Sequence, residues 1–367
     1  MKFSCDKDII IQEISIAQDI ISSRNALSIL SNVLLEAKND TLTIKATDLK
    51  VGFETLVPVH VEQEGSTTVF CDKLLGILKT LPPGVVQFTL QDGHIHILPQ
   101  KKKASFKLKS IPAEQYPELQ MVSSENYFTL SQKDLNEMIA QTIFSVSDDE
   151  SRYFMNGVFF EKENGGIVMV ATDGRRLSYA RKTLETEIPD FNGVIIPPKI
   201  LHLIRKLSSG EGRLDVAVTD KNIWIRFDNR KLSSHLIEGQ FPNYHRVIPE
   251  SQEYTVTTNR EDFLEALKRV SLMVEQKSRR IYLSLEDGVL SLLSEESDIG
   301  AAQEEIACEY SGSGTKIALN YLYLIDPLKE IEGDQVHILF TEPNKAITLK
   351  PVKDSGYFHI IMPMQLD

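Results

Sequence analysis

The sequence predicts an α+β protein of three repeated domains, each with two helices and a mainly antiparallel sheet. Three observations lead there. A short polar motif recurs at a fixed spacing, an amphipathic helix recurs at nearly the same spacing, and alternating segments with turn residues fill the intervals. Ala46-Thr47-Asp48-Leu49 returns as Ala171-Thr172-Asp173-Gly174, 125 residues on, and Ser297-Asp298-Ile299 echoes it after another 125. Tyr116-Pro117 returns as Phe241-Pro242 at the same interval. Several features keeping one spacing in one order are the mark of a repeated unit.

The helices come first in each unit. Ile10, Ile14, Ala17 and Ile21 share one helical face, as do Leu135, Ile139, Thr142 and Val146, and then Phe263, Leu267, Val270 and Val274. Each set opens after a residue able to cap a helix: Asp6, Ser131 and Asn259. A second helix per unit is predicted over Lys73–Leu81, over Lys199–Leu207 after Pro197-Pro198, and over Tyr321–Ile331. In the last of these Pro327 is expected to kink or shorten the helix. Alternating segments (Leu42-Thr43-Ile44, Ile167–Val170, Val289–Leu292) precede each copy of the polar motif and read as strands. Asn39-Asp40, Asn164-Gly165-Gly166 and Asp287-Gly288 supply turns between strands. The domains are placed at 1–120, 121–248 and 249–367.

Length and composition agree. The 367 residues suffice for two or three domains. With 42% hydrophobic and 25% charged residues the chain is an ordinary soluble globular one. Apolar runs such as Ile9-Ile10-Ile11 fall far short of the roughly 20 residues of a membrane helix. Met1–Asp6 lacks the apolar stretch of a signal peptide. Cys5, Cys71 and Cys308 lie far apart, which suits a reducing cytoplasm and neither a disulfide framework nor a metal site. The net charge of −12 speaks against a protein that grips nucleic acid by neutralising many phosphates. The six helical segments are together nearly neutral, and the one around Lys199, Arg205 and Lys206 is positive.

Motifs of catalysis are missing. There is no Walker A loop, no glycine-rich dinucleotide fingerprint and no nucleophile elbow. His94 and His96 share a strand face without a third ligand near in sequence, so a solvated face is the plainer reading. Asp148-Asp149-Glu150 reads as a solvated loop. An enzyme is therefore not expected, and neither is a cofactor or metal.

The chain resembles the bacterial DNA sliding clamp family, the beta subunits of DNA polymerase III, along essentially its whole length. The resemblance rests on Ser22-Ser23-Arg24 with Ile29–Val33, on Arg152–Gly157, on Ala171–Leu177, on Gln240–Tyr244 and on Met362–Leu366. It implies a closed ring of two chains joined head to tail around duplex DNA, with helices lining the hole and sheets forming the outer wall. A ring holds DNA topologically, so an acidic chain need not release many counterions. The partners implied are duplex DNA, a second copy, the replicative polymerase, an ATP-using clamp loader, and other polymerases and repair proteins.

The resemblance also carries site residues. A peptide-binding pocket between the second and third domains falls on Arg152, Met155, Thr172, Gly174, Arg175, Arg176, Leu177, Pro242, Arg246, Val247, Ile360, Met362, Pro363, Met364 and Leu366. Apolar and methionine side chains make an adaptable groove, and Arg152, Arg176 and Arg246 are expected to orient polar or acidic groups at its rim. The rival reading has the Met-Pro-Met terminus merely ending a strand and closing a core. DNA contacts fall on Arg24, Lys199, Arg205 and Lys206. The seam between copies falls on Phe106 against Leu272 and Met273, with Lys103 near Glu304; the alternative places Leu272 and Met273 in their own core. Three departures stand out. Gln365 occupies a position where a basic residue is common, Asp367 extends the terminus, and Asp149 lies in a loop that can face DNA. Two other functions compete: a repeat-built enzyme or small-molecule binder using the methionine-rich pocket, and a scaffold that never meets DNA.

Overall fold

The computed structural model describes residues 1–21, 29–119, 126–184, 186–298 and 300–365. They form two compact units, Met1–Leu130 with Arg213–Leu236, and Ser131–Gly212 with Ile237–Asp367. The described helices are α1 (Lys7–Ile20), α2 (Cys71–Thr80), α3 (Gln132–Thr142), α4 (Pro198–Leu207), α5 (Arg260–Ser271) and α6 (Tyr321–Glu330).

All three expected caps are in place. The Asp6 carboxylate accepts from the Asp8 amide at 2.8 Å, the Ser131 hydroxyl from the Asp134 amide at 3.3 Å, and the Asn259 side chain from the Glu261 and Asp262 amides. Each oxygen satisfies a donor that the first turn of a helix leaves orphaned. The predicted faces are buried: Ile10, Ile14 and Ala17 on α1, Leu135, Ile139 and Thr142 on α3, Phe263, Leu267 and Val270 on α5. The fourth positions fall elsewhere. Ile21 is the C-cap of α1 with extended backbone, and Val146 lies beyond the 3-10 turn Ile143–Ser145. Pro327 neither breaks nor shortens α6, which continues to Glu330. A proline deprives the carbonyl four residues earlier of its donor; that residue is Tyr323, and the buried His359 ring lies against its backbone.

Unit 1 holds a thirteen-stranded sheet and unit 2 a twelve-stranded one. The middle third of the chain feeds both. Its strands Arg213–Val218, Asn222–Phe227 and Arg230–His235 belong to unit 1, while Val158–Glu163, Gly166–Thr172 and Arg176–Thr183 belong to unit 2. One pairing rule recurs. The strand after the first Thr-Asp turn, Val51–Thr55, runs antiparallel to Ser234–Arg230, the closing strand of the next repeat. The strand after the second turn, Arg176–Ala180, likewise runs antiparallel to Ile361–Tyr357. The third such strand is Gln303–Glu309. It pairs with Val289–Leu293 on one side, but with Thr257 and Thr258 only through Glu309 and Cys308 on the other. The closing strand of the first repeat, Phe106–Ile111, is bonded to His94–Ile97 over Phe106–Lys109 and reaches Thr68 and Val69 only through Ile111 and Ser110. Among the described residues, the outer edges of Phe106–Lys109 and Gln303–Ala307 have no strand partner.

Each helix pair packs on its sheet: α1 with α2 in unit 1, and α3 with α4 and α5 with α6 in unit 2. Among the described residues, no helix is long and apolar enough to cross a membrane.

Candidate functional site

The site in unit 2 starts from one turn. The Thr172 hydroxyl donates to the Arg176 carbonyl at 2.6 Å and accepts from the Gly174 amide at 3.1 Å. The Asp173 carboxylate accepts from the amides of Arg175 and Arg176 at 2.9 and 3.1 Å. Gly174 takes φ +88, and a Cβ there would stand 2.8 Å from the Arg152 guanidinium. The positive φ favours glycine, while the half-exposed Arg152 guanidinium is a side-chain end that can move aside.

Arg176 is not the rim cation expected of it. Its side chain is only 11% exposed. Nε donates to Asp173 Oδ2 at 3.1 Å, Nη1 to Asp326 Oδ2 at 2.8 Å, and Nη2 to the Phe144 carbonyl. The guanidinium also lies over the Tyr323 ring, 4.6 Å from its centroid. A buried arginine must spend its donors on internal acceptors, so this one braces the turn against α6. Arg152 is half-exposed and donates to Asp149 Oδ2 at 2.8 Å. The Ser151 hydroxyl and Arg152 together pull the Asp149 carboxyl down to about 2. Asp149 is thus a capping carboxylate, accepting from the Ser151 amide at 2.9 Å.

The apolar set divides into floor and wall. Leu177 and Ile360 face each other across the ladder and are buried with Val168, Val170, Ile195, Phe241 and Tyr244. Met155 is buried as well. Leu177 and Ile360 are floor rather than groove wall, because strand alternation turns their side chains into the sheet's core; Met155 joins them from the end of the 3-10 helix Glu150–Met155. Phe241 and Tyr244 anchor the segment that carries Pro242, Arg246 and Val247, of which Arg246 and Val247 are exposed. The terminal segment is held by its main chain: the Met362 amide donates to the Arg175 carbonyl at 2.9 Å, and the Met364 amide to the Ala318 carbonyl at 2.8 Å. Met362 itself is 46% exposed. The terminus therefore does more than close a core. Leu366 lies outside the described residues.

Beside this segment opens a cavity of about 570 Å³. Of the expected pocket residues it brings together Arg175, Met362, Pro363 and Met364. It adds Asn320, Tyr323 and the stretch from Gln276 to Arg280, which the sequence reading missed. A signal was present: Lys277, Arg279 and Arg280 put three cations in four residues of an acidic chain. On the paired strands Arg176–Thr183 and Tyr357–Ile361, His359 Nδ1 and Ser178 Oγ are 2.6 Å apart, and Ser178 meets Ser145 at 2.8 Å. Burial, with Arg176 nearby, holds the imidazole well below its usual range, so it stays neutral.

The remaining expected residues sit as follows. On α4, Arg205 and Lys206 are exposed and Lys199 half-buried, while Ile200, Leu201, Leu203 and Ile204 face the core. Arg24 lies outside the described residues. Leu272 is 78% exposed at the C-cap of α5, which excludes it from its own core; Met273 and Phe106 are half-buried and Lys103 exposed. Glu304 already holds Arg269 of its own chain, with Nε to Oε2 at 2.9 Å and Nη2 to Oε1 at 2.5 Å. His94 bonds the Asp92 carbonyl through Nδ1 at 2.8 Å. Cys5 and Cys71 are buried thiols, pushed up to about 12 chiefly by burial.

Comparison with known proteins places this geometry. Residues 1–120, 129–243 and 245–365 match the models for the N-terminal, central and C-terminal domains of the DNA polymerase III beta subunit. A beta sliding clamp of Treponema pallidum (strain Nichols) is 46% identical over 371 residues, covering 100% of both chains. The crystal structure of a sliding clamp from Pseudomonas aeruginosa bound to griselimycin is 28% identical with a TM-score of 0.94, covering both chains fully. That of the DNA polymerase sliding clamp from Bacillus subtilis is 25% identical with a TM-score of 0.95, again over 100% of each.

Proposed function

The chain belongs to the DNA polymerase III beta subunit family, and we propose that it works as a sliding clamp, a processivity factor that encircles duplex DNA. Domains 1–120, 121–248 and 249–367 of two copies would close head to tail into a ring in the cytoplasm. The ring would tether the replicative polymerase and dock other replication and repair proteins, after an ATP-using clamp loader has opened it. No catalytic step or cofactor is assigned to it.

The observation that carries this reading is the pairing rule of the sheets. Two of its three uses are met within the chain, and the third leaves the edges Phe106–Lys109 and Gln303–Ala307 unpaired among the described residues. Open edges are templates for pairing with another chain, and a head-to-tail pair of copies would complete the rule twice. Leu272, Met273 and Phe106 would supply the apolar contact at each seam, and Lys103 would join the Arg269–Glu304 pair. The exposed basic residues of α4, with Arg24, would make the phosphate contacts. Clients would enter with an apolar pair against Val247, Met362 and Met364, over the floor of Leu177 and Ile360.

The test is topological. The protein is loaded on nicked circular DNA by a clamp loader, and the DNA is then linearised. A clamp slides off the ends and is lost from the DNA. Retention at a level set only by salt would mean ordinary binding and would defeat the proposal.

A further inference from the structure

The cavity beside the terminal segment is cationic out of proportion to the chain. Among the described residues, Arg175, Lys277, Arg279 and Arg280 line it and no Asp or Glu does, in a protein of net charge −12. The four cations come from two distant segments, the Thr172–Arg176 turn and the stretch after α5. Arg279 takes φ +52, an uncommon conformation for a residue with a side chain. It is fixed there by its amide, which donates to the Glu275 carbonyl at 2.9 Å, and by its carbonyl, which accepts from the Tyr321 amide at 3.0 Å. The Arg280 guanidinium reaches the Tyr282 hydroxyl at 3.5 Å. Asp173 is committed to Arg176 and two amides, and Glu275, exposed at the start of the loop, is not part of the lining. Gathered like charges repel, and a cleft lined by one sign concentrates the opposite ion. Gln365, which lines the same cavity, leaves the cationic character to these four residues.

We propose that the client segment taken by this pocket carries acidic residues beside its apolar pair, and that Arg175, Lys277, Arg279 and Arg280 receive them. The proposal rests on reading the pocket as a peptide site. A nucleic-acid phosphate is the competing anion. The peptide is favoured because the cations share their cavity with Met362, Pro363 and Met364, an apolar wall against which a phosphate backbone has nothing to bury.

The experiment uses fluorescein-labelled peptides with a glutamine and a downstream Leu-Phe pair. They are flanked on one side or the other by Asp-Glu-Asp or by Ser-Gln-Ser. Anisotropy is read on the full chain and on the Lys277→Ala, Arg279→Ala double variant, whose exposed positions leave the fold intact. Two exposed ion pairs should give one acid-flanked peptide roughly a five- to tenfold preference at low salt. That preference should shrink at high salt and vanish in the double variant, while the neutral peptide binds both proteins alike. Equal affinity for acidic and neutral peptides on the parent protein overturns the proposal and leaves the peptide pocket standing. Failure of every peptide to bind overturns both. A single-stranded oligonucleotide held through Lys277 and Arg279, with no preference among peptides, would reassign the patch to phosphate.

Discussion

The Thr47-Asp48-Leu49 turn of unit 1 and the Thr172-Asp173-Gly174 turn of unit 2 share one skeleton and differ in almost everything attached to it. In unit 1 the Thr47 hydroxyl bonds the Val51 carbonyl at 2.8 Å, and Asp48 accepts from the Lys50 and Val51 amides, the same bonds made by Thr172 and Asp173. Thereafter Val51 stands for Arg176. Across the ladder, Phe53 faces Leu232 where Ser178 faces His359. The cavity at the first turn is about 180 Å³ and that beside the second about 570 Å³. Thr and Asp are enough to make the turn, because their side chains bond their own backbone. They are not enough to make a site. In the proposed site that falls to Arg176, to the Met362–Met364 segment with Met362 exposed, and to the cations around Arg279.

The third copy offers the strongest way to break the comparison. If its open edge waits for a second chain, Leu272→Ala with Met273→Ala should give monomers, since two buried side chains contribute roughly 3 kcal/mol or more at each seam. Size-exclusion chromatography at nanomolar concentration reads this, and a fully dimeric variant would refute the seam. The cooperative melt should survive, because Leu272 is exposed in its own chain.

Next is the brace. Arg176→Ala leaves Asp173 and Asp326 without their partner and should cost unit 2 about 3 kcal/mol in urea unfolding. Val51→Ala at the matching position of unit 1 removes two methyl groups and should cost about 1.6 kcal/mol. Equal losses would mean that the brace adds nothing beyond ordinary burial.

The Ser178–His359 pair predicts a pH response that the Phe53–Leu232 pair lacks. The folded imidazole lies well below the usual 6.5. As pH falls beneath 6.5 the unfolded chain takes up a proton that the folded chain refuses. The stability of unit 2 should then fall, by at most about 1.4 kcal/mol per pH unit. Denaturant titrations at stepped pH should show this slope flattened in His359→Asn, and an unchanged slope would count against the neutral imidazole.

The smallest effect concerns the third turn residue. Leu49 holds φ +74 with its side chain 57% exposed, where Gly174 holds φ +88. Gly174→Leu should cost roughly 1–2 kcal/mol and crowd Arg152. Leu49→Gly should be near neutral, because the relief of strain offsets the entropy that glycine adds to the unfolded chain. A large loss in Leu49→Gly would show that this side chain packs on something.

Local chemistry was legible in the sequence, and distant chemistry was not. Asp6, Ser131 and Asn259 could be named as caps because each bonds amides two or three residues away. The turns could be named because the repeat displays them twice. The role of Arg176 could not be read, because Asp326 lies 150 residues further on. The sorting of Leu177 and Ile360 into floor needed the sheet, and the cationic cavity needed α6 to bring Tyr321 beside Arg279. The family resemblance supplied the address of the proposed pocket, while the structure showed which of its residues are buried and which are exposed.

The central claim is that the terminal segment turns a repeated turn into a peptide site. It is tested most directly by removing Met364-Gln365-Leu366-Asp367 and measuring a labelled peptide with a glutamine and a downstream apolar pair by fluorescence anisotropy, beside size-exclusion chromatography. A loss of about 2 kcal/mol, roughly thirtyfold in affinity, is expected, with the dimer intact. Undiminished affinity in the truncated chain would contradict it, and loss of the dimer would show that the terminus is structural instead.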